Sequence, residues 1–224
     1  EELLGYLISW KEALLTKKYD VKSLKNKEEN KKKVCEEFGL EYNPERPMYA
    51  MISRLVGQKG IDLIRQCEGE MKSLNADFVF LGSGDKDYEN LLIWLSNNST
   101  NIRAYIGYRA DLANQIYAGS DFYLMPSKFE PCGLSQLIAM RYGSLPVVRA
   151  TGGLEDTVTG YPLADSNGFK FWGYSGWDMM QAIYCSLGVY QDKYTFNAMR
   201  KTAMETDFSW RNSSLLNDGT GAYP

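Results

Sequence analysis

"FYLMPSKFEPCGLSQLIAMRYGSLPVVRATGG", residues Phe122 to Gly153, holds two short apolar runs, FYLM and LPVV, divided by a loop carrying a carboxylate and by a segment with helical apolar spacing. Strand, helix, strand in that order describes a βαβ unit, whose two strands lie parallel. Outward from this stretch the same alternation recurs. Toward the N-terminus "MYAMIS" (48–53) reads as a buried strand and Ile61 to Leu74 as a helix. "DFVFLG" (77–82) is the next strand and Tyr88 to Leu95 the next helix, followed by "IRAYIG" (102–107) and a helix through Ile116 and Tyr117. Inside the quoted stretch the helix runs from Leu134 to Tyr142. Beyond it "NGFKFW" (167–172) precedes helices over 177–190 and 195–204. Strands rich in Val, Ile, Phe and Tyr, separated by helices of roughly ten residues, predict an α/β fold with right-handed crossovers. Its centre is a Rossmann-like parallel sheet covered by helices on both faces.

That sheet is expected within residues 46–205, behind a helical lead-in over 1–45 and ahead of an irregular tail over 206–224. The lead-in opens with apolar spacing at Leu3, Leu4, Leu7, Ile8, Leu14 and Leu15, which suits an amphipathic helix packed on something. The basic run from Lys25 to Lys33, interrupted by Glu28 and Glu29, reads as a solvated helix face.

Composition excludes several classes of function. With 25 Lys and Arg against 28 Asp and Glu, the net charge of −3 gives no general attraction to nucleic acid or to an anionic membrane, so neither is expected as a partner. The chain has no histidine, which removes the Ser-His-Asp triad, the Cys-His pair and any histidine general base. Four widely spaced cysteines without histidine fit neither the usual zinc spacings nor a disulfide framework, so no metal is expected. Reduced thiols and an acidic start without a signal-peptide pattern suit a cytoplasmic location. Chemistry must therefore come from carboxylates, cations and backbone.

In open parallel sheets ligands bind beyond the carboxyl ends of the strands, so the informative residues lie in the strand-to-helix loops. "SRLVGQKG" places Arg54 and Lys59 in one loop beside Gly57 and Gly60. A planar fork and a point charge could clamp a diphosphate there, although two solvated cations would look the same in sequence. "LGSGD" brings Gly82 and Gly84 to a helix start, where backbone can approach a nucleotide or make a tight turn. The third glycine of the dinucleotide fingerprint is missing, which speaks against an NAD site. "GYRAD" offers Tyr108 as a stacking partner for a nucleobase or as a packing residue. "FEPCG" puts Glu130 at the crevice with the amides near Cys132 and Gly133, and "TGGLED" does the same with Thr151, Gly152, Gly153 and Leu154. An ionised Glu130 cannot favour phosphate, but it can accept hydrogen bonds from sugar hydroxyls. Cys132 has no fixed cation or base near it in sequence and reads as a small buried filler rather than a nucleophile. Together these loops describe a nucleotide-sugar site.

The motifs "SRLVGQKG", "LGSGDKDYE", "IGY", "IYAGSDFYLMPSKFEPCGLSQLIAMRYGSLPVVRATGGLEDTV", "NGFKF" and "DFSW" resemble, in that order, the C-terminal half of the ADP-glucose-dependent glycogen and starch synthases, from about Tyr19 to about Ser213. The resemblance implies the donor-binding half of a GT-B glycosyltransferase, in which two Rossmann-like domains face each other across a cleft. It implies transfer of glucose from ADP-glucose to the non-reducing end of an α-1,4-glucan with retention of configuration, with ADP-glucose as substrate and no cofactor. Carried over by motif, Arg54 and Lys59 would neutralise the departing diphosphate. Glu130 and the backbone at Cys132 and Gly133 would hold the glucose, the amides of Gly152, Gly153 and Leu154 would take the distal phosphate, and Tyr108 would stack on adenine. The family's N-terminal domain, with its "KxGGL" loop, is the expected partner, and without it the chain is expected to transfer little. Ile138 stands where many relatives of this superfamily have a polar or acidic residue. Arg109 and Ala110 stand where the family often has acidic ones. The alternatives are a GT-B enzyme using a UDP- or GDP-sugar and a nucleotide-binding module without catalysis.

Overall fold

A computed structural model describes residues 15–207. Its six strands are β1 (Met48–Ile52), β2 (Asp77–Gly82), β3 (Ile102–Ile106), β4 (Phe122–Met125), β5 (Leu145–Arg149) and β6 (Phe169–Phe171). They form one sheet in the order β3-β2-β1-β4-β5-β6, and every neighbouring pair is parallel. The helices are α1 (Lys27–Phe38), α2 (Ile61–Ser73), α3 (Lys86–Asn97), α4 (Ala110–Gly119), α5 (Ser135–Arg141), α6 (Gly153–Thr157), α7 (Gly176–Gln191) and α8 (Lys193–Glu205). Every residue of β2 and of β4 is buried, so both faces of the sheet are covered. This is the Rossmann-like arrangement expected from the alternation of apolar runs, with element ends within two residues of those read from sequence.

Period-two side-chain alternation assigns the core to two faces. On one face Tyr49 of β1 stacks between Phe78 (5.1 Å) and Phe122 (4.8 Å), its register partners on the flanking strands. Phe122 continues the layer to Phe169 and to Phe196 of α8. On the other face Tyr123 stacks on Tyr117 of α4 at 5.0 Å, and its hydroxyl donates to the Ile52 carbonyl at 2.9 Å.

The basic run over 25–33 is not a wholly solvated face. Lys27 and Lys31 lie one helical turn apart and are each 1% exposed. The Lys31 ammonium sits 2.8 Å from the buried Asp121 carboxylate and donates to the Arg46 carbonyl at 2.7 Å. Lys27 donates to the Ala118 (2.7 Å) and Tyr117 (3.2 Å) carbonyls at the C-terminal turn of α4, carbonyls that the helix itself leaves without partners. Sequence alternation of Lys and Glu hid the i, i+4 pair, and what draws those two inward lies about ninety residues away. Lys32 and Lys33 are exposed as expected, each three residues from its partner Glu29 or Glu36. The proposed amphipathic helix at the start, most of "DFSW" and nearly all of the tail fall outside the described residues.

Candidate active site

Strand order reverses direction between β1 and β4, and the loops that follow those two strands meet at the crevice this creates. Lys59 closes a 3-10 turn (Gly57–Lys59) after β1, and Glu130 lies in the loop after β4. The Lys59 Nζ is 2.6 Å from Glu130 Oε2, which also accepts from Ser127 Oγ at 3.3 Å. Backbone holds the two loops together: the Lys128 amide donates to the Gln58 carbonyl at 2.8 Å, and Gln58 Nε2 donates to the Phe129 carbonyl at 3.0 Å. At Gly60, φ is +82°, and a Cβ would stand 2.1 Å from the Pro126 carbonyl oxygen. Any larger residue there would push the Lys59 turn off the Glu130 loop.

Arg54 and Tyr108 line a separate cleft of about 420 Å³ on the α4–α5 side, together with Gly82, Ser135 and Ile138. Arg54 is exposed and the Tyr108 ring is 69% exposed. Gly82 and Gly84 are held close to the chain's own backbone: a Cβ would come within 1.9 Å of the Ser53 oxygen at Gly82 and 2.3 Å of the Leu55 oxygen at Gly84. Leu55 and Gly84 form a β-bridge there, so these glycines join the first two loops, and Gly82 also lines the cleft.

The loops over 130–133 and 151–154 interlock. The Gly153 amide donates to the Glu130 (3.0 Å) and Pro131 (3.1 Å) carbonyls, and the Leu154 amide closes a turn onto Thr151. Leu154 is fully buried, whereas Cys132 is exposed and not the buried filler expected from sequence, because it lies in the loop before α5 and not inside an element. One residue that sequence reasoning missed holds this junction. Gln136, buried on α5, donates from Nε2 to the Cys132 (3.2 Å) and Gly133 (3.1 Å) carbonyls and to Thr157 Oγ1 (3.2 Å) of α6. The only available signal was an amide on the inward side of the apolar "LSQLIAM" pattern. Arg109, at the departure after Tyr108, turns to Glu37 (3.0 Å) and Asp111 (2.7 Å), tying the Tyr108 loop to α1. Among the described residues there is no cluster of acidic, cysteine or histidine side chains that could hold a metal, and no helix long and apolar enough to cross a membrane.

The structure thus places a cation and a carboxylate in contact at the switch point, with a cleft rimmed by Arg54 and Tyr108 nearby. Residues 36–171 match the family model described as glycosyl transferases group 1. The chain belongs to that family. Among its relatives, the glycogen synthase of Exiguobacterium sibiricum is 46% identical over 204 residues, covering 89% of this chain and 42% of the relative. The glycogen synthase of Bacillus anthracis is 42% identical over 207 residues, covering 91% and 44%. The catalytic domain of starch synthase IV from Arabidopsis thaliana, bound to ADP and acarbose, superposes with a TM-score of 0.83 at 34% identity, over 92% of this chain and 44% of that one. The group 1 fold seen here is therefore one Rossmann-like half of a GT-B architecture, and the chain spans less than half the length of these relatives.

Proposed function

We propose that the chain is the donor-binding half of a retaining glucosyltransferase that moves glucose from ADP-glucose to the non-reducing end of an α-1,4-glucan. The observation that carries this reading is the Lys59–Glu130 contact at the switch point, 2.6 Å across. One of these groups suits a diphosphate and the other a sugar. On this reading Lys59 and Arg54 neutralise charge as the diphosphate departs, stabilisation that grows as the glycosidic bond breaks. Glu130 accepts hydrogen bonds from the glucose hydroxyls, with the Cys132 and Gly133 backbone beside it. Gln136 keeps that backbone in register with the Thr151 to Leu154 turn. Since the Gly153 and Leu154 amides already donate within the chain, a distal phosphate there shares them or displaces those bonds. Tyr108 supplies a ring for adenine. ADP as the nucleotide rests on the likeness to the ADP-bound starch synthase IV. The glucan acceptor and a second GT-B domain rest on the likeness to glycogen synthases.

Calorimetric titration with ADP and UDP tests it. ADP is expected to bind in preference to UDP, and Lys59→Ala to weaken ADP by roughly 10- to 100-fold, the worth of one charge-assisted hydrogen bond. Preference for UDP, or an unchanged ADP affinity in Lys59→Ala, overturns the assignment.

A further inference from the structure

A second cavity, of about 530 Å³, opens on the other side of the β1 loop, and its lining shares no residue with the Arg54–Tyr108 cleft. Its volume lies within the ~300–1,000 Å³ usual for small-molecule sites. Five segments build it: the Gly57–Lys59 turn, the first turn of α2, the first turn of α3, the loop after β4, and the loop after β6. The chemistry of the wall is mixed. Phe129 presents a ring that is 54% exposed, and Tyr88 contributes a second ring, with the Arg65 guanidinium 5.7 Å from its centroid. Asp62 Oδ1 accepts from the Tyr174 hydroxyl at 2.5 Å, fixing a carboxylate in the wall. Lys128 and Arg149 lie over the Tyr174 ring, 5.6 and 5.5 Å from its centroid.

This set discriminates among ligands. The fixed Asp62 carboxylate disfavours a phosphate, and Lys128, elsewhere on the same wall, disfavours a metal cation. What remains suited is a neutral ring with one apolar face and several hydroxyls: the ring stacks on Phe129, and the hydroxyls find both donors and acceptors. The cavity also touches the site already described through the chain itself. Gln58 precedes Lys59, Phe129 precedes Glu130, and the Gln58–Phe129 hydrogen bond joins them.

We propose that this cavity is a glucan subsite, in which a pyranose unit of an α-1,4-linked glucan stacks on Phe129 and hydrogen-bonds to Asp62 and Gln58, behind the Lys59–Glu130 pair and outside the donor cleft. The linkage class rests on the function proposed above; the preference for a neutral sugar rests on the wall. An occupied cavity braces the two loops that carry Lys59 and Glu130, so a bound glucan end and the donor groups share one rigid support.

Calorimetry of the 224-residue chain with maltoheptaose, with and without saturating ADP, tests the proposal. Maltoheptaose is expected to bind, and ADP to leave that binding in place. Phe129→Ala is expected to weaken it roughly five- to tenfold, as loss of a ring contact does, and Tyr88→Ala to weaken it as well. Tyr194→Ala, which removes an 86% exposed ring from the start of α8, is expected to change nothing. A thermal melt of each variant identifies any that fails to fold, and Tyr88→Ala then stands in for Phe129→Ala. No maltoheptaose binding, displacement by ADP, or indifference to both cavity variants overturns the proposal. ADP binding in the same samples reports on the donor site separately, so the two readings fail independently.

Discussion

Glu130 and Lys59 satisfy each other in this structure, and that has a consequence for ligand preference. The pair is partly buried, with side-chain exposures of 11% and 20%. A free diphosphate arriving at Lys59 meets Glu130 as a competitor and as a like charge. Glu130→Gln keeps the shape and removes the charge, so ADP is expected to bind about fivefold or more tightly, of order 1 kcal/mol for a charge at this range in a screened site. ADP-glucose gains less or loses, because the amide accepts sugar hydroxyl bonds more weakly than the carboxylate. The two nucleotides titrated side by side against this variant decide the matter: unchanged or weaker ADP binding would mean that Lys59 does not serve the diphosphate. At this scale the sequence located Lys59, Glu130 and Tyr108 in the loops that follow strands, where the structure has them. It was silent where the role lies inside an element, as for Gln136, whose three acceptors are invisible until α5 and α6 are folded together.

The elements at the opposite end of the sheet carry the buried charges. Asp121 opens β4, receives the Met48 amide at 2.8 Å and pairs with Lys31 of α1. Burial is the strongest single influence and pushes its carboxyl up, but the Lys31 ammonium, the Arg200 guanidinium and the Met48 amide together outweigh it and hold the carboxyl below the ordinary carboxylate range. Asp77, at the start of β2, is pushed up to about 6 by burial, with Arg46 at 3.4 Å offsetting only part of that. The two therefore act with opposite sign. Asp121 has a depressed folded value, so its contribution is present above the ordinary carboxylate value and is lost as pH falls through and below it. Asp77 binds its proton more tightly in the folded state, so stability is lost as pH rises from about 4 to about 6. At pH 7 Asp121→Asn is expected to cost about 3–5 kcal/mol, the penalty for leaving Lys31 buried without its charge partner. Asp77→Asn is expected to stabilise by about 3 kcal/mol at pH 7 and to have little effect near pH 4. Urea unfolding of both variants at the two pH values reads this directly, and a destabilised Asp77→Asn at pH 7 would contradict the burial argument. Element type and order were legible because runs such as "MYAMI" and "FVFLG" are continuously apolar, as a strand covered on both faces requires. The docking of α1 was not, since the partner of Lys31 is Asp121, ninety residues on, and local charge alternation gives no hint of it.

At the scale of the whole molecule, both cavities open at the carboxyl end of the sheet. Around them stand side chains that a folded domain seldom leaves bare: Tyr108 (69% exposed), Leu134 (61%) and Phe129 (54%). The relatives this chain resembles are more than twice the length it spans. If the donor lies between two domains, as the proposed function has it, these 224 residues supply the diphosphate and sugar contacts of one wall. Binding and turnover then separate. ADP affinity depends mainly on Lys59, Arg54 and Tyr108 and persists in the chain alone. Transfer depends on holding the glucose and the glucan end in attack geometry, an effect worth ~7–11 kcal/mol when complete and largely lost when one wall is absent. The chain alone, given ADP-glucose and maltoheptaose, is therefore expected to extend the glucan at least about a thousandfold more slowly than a whole glycogen synthase from one of the relatives. Chain-length analysis of the labelled product measures it. Transfer at a comparable rate would place the complete reaction centre within this one sheet and its loops, and Lys59, Glu130 and the cavity behind them would then have to position donor and acceptor without help.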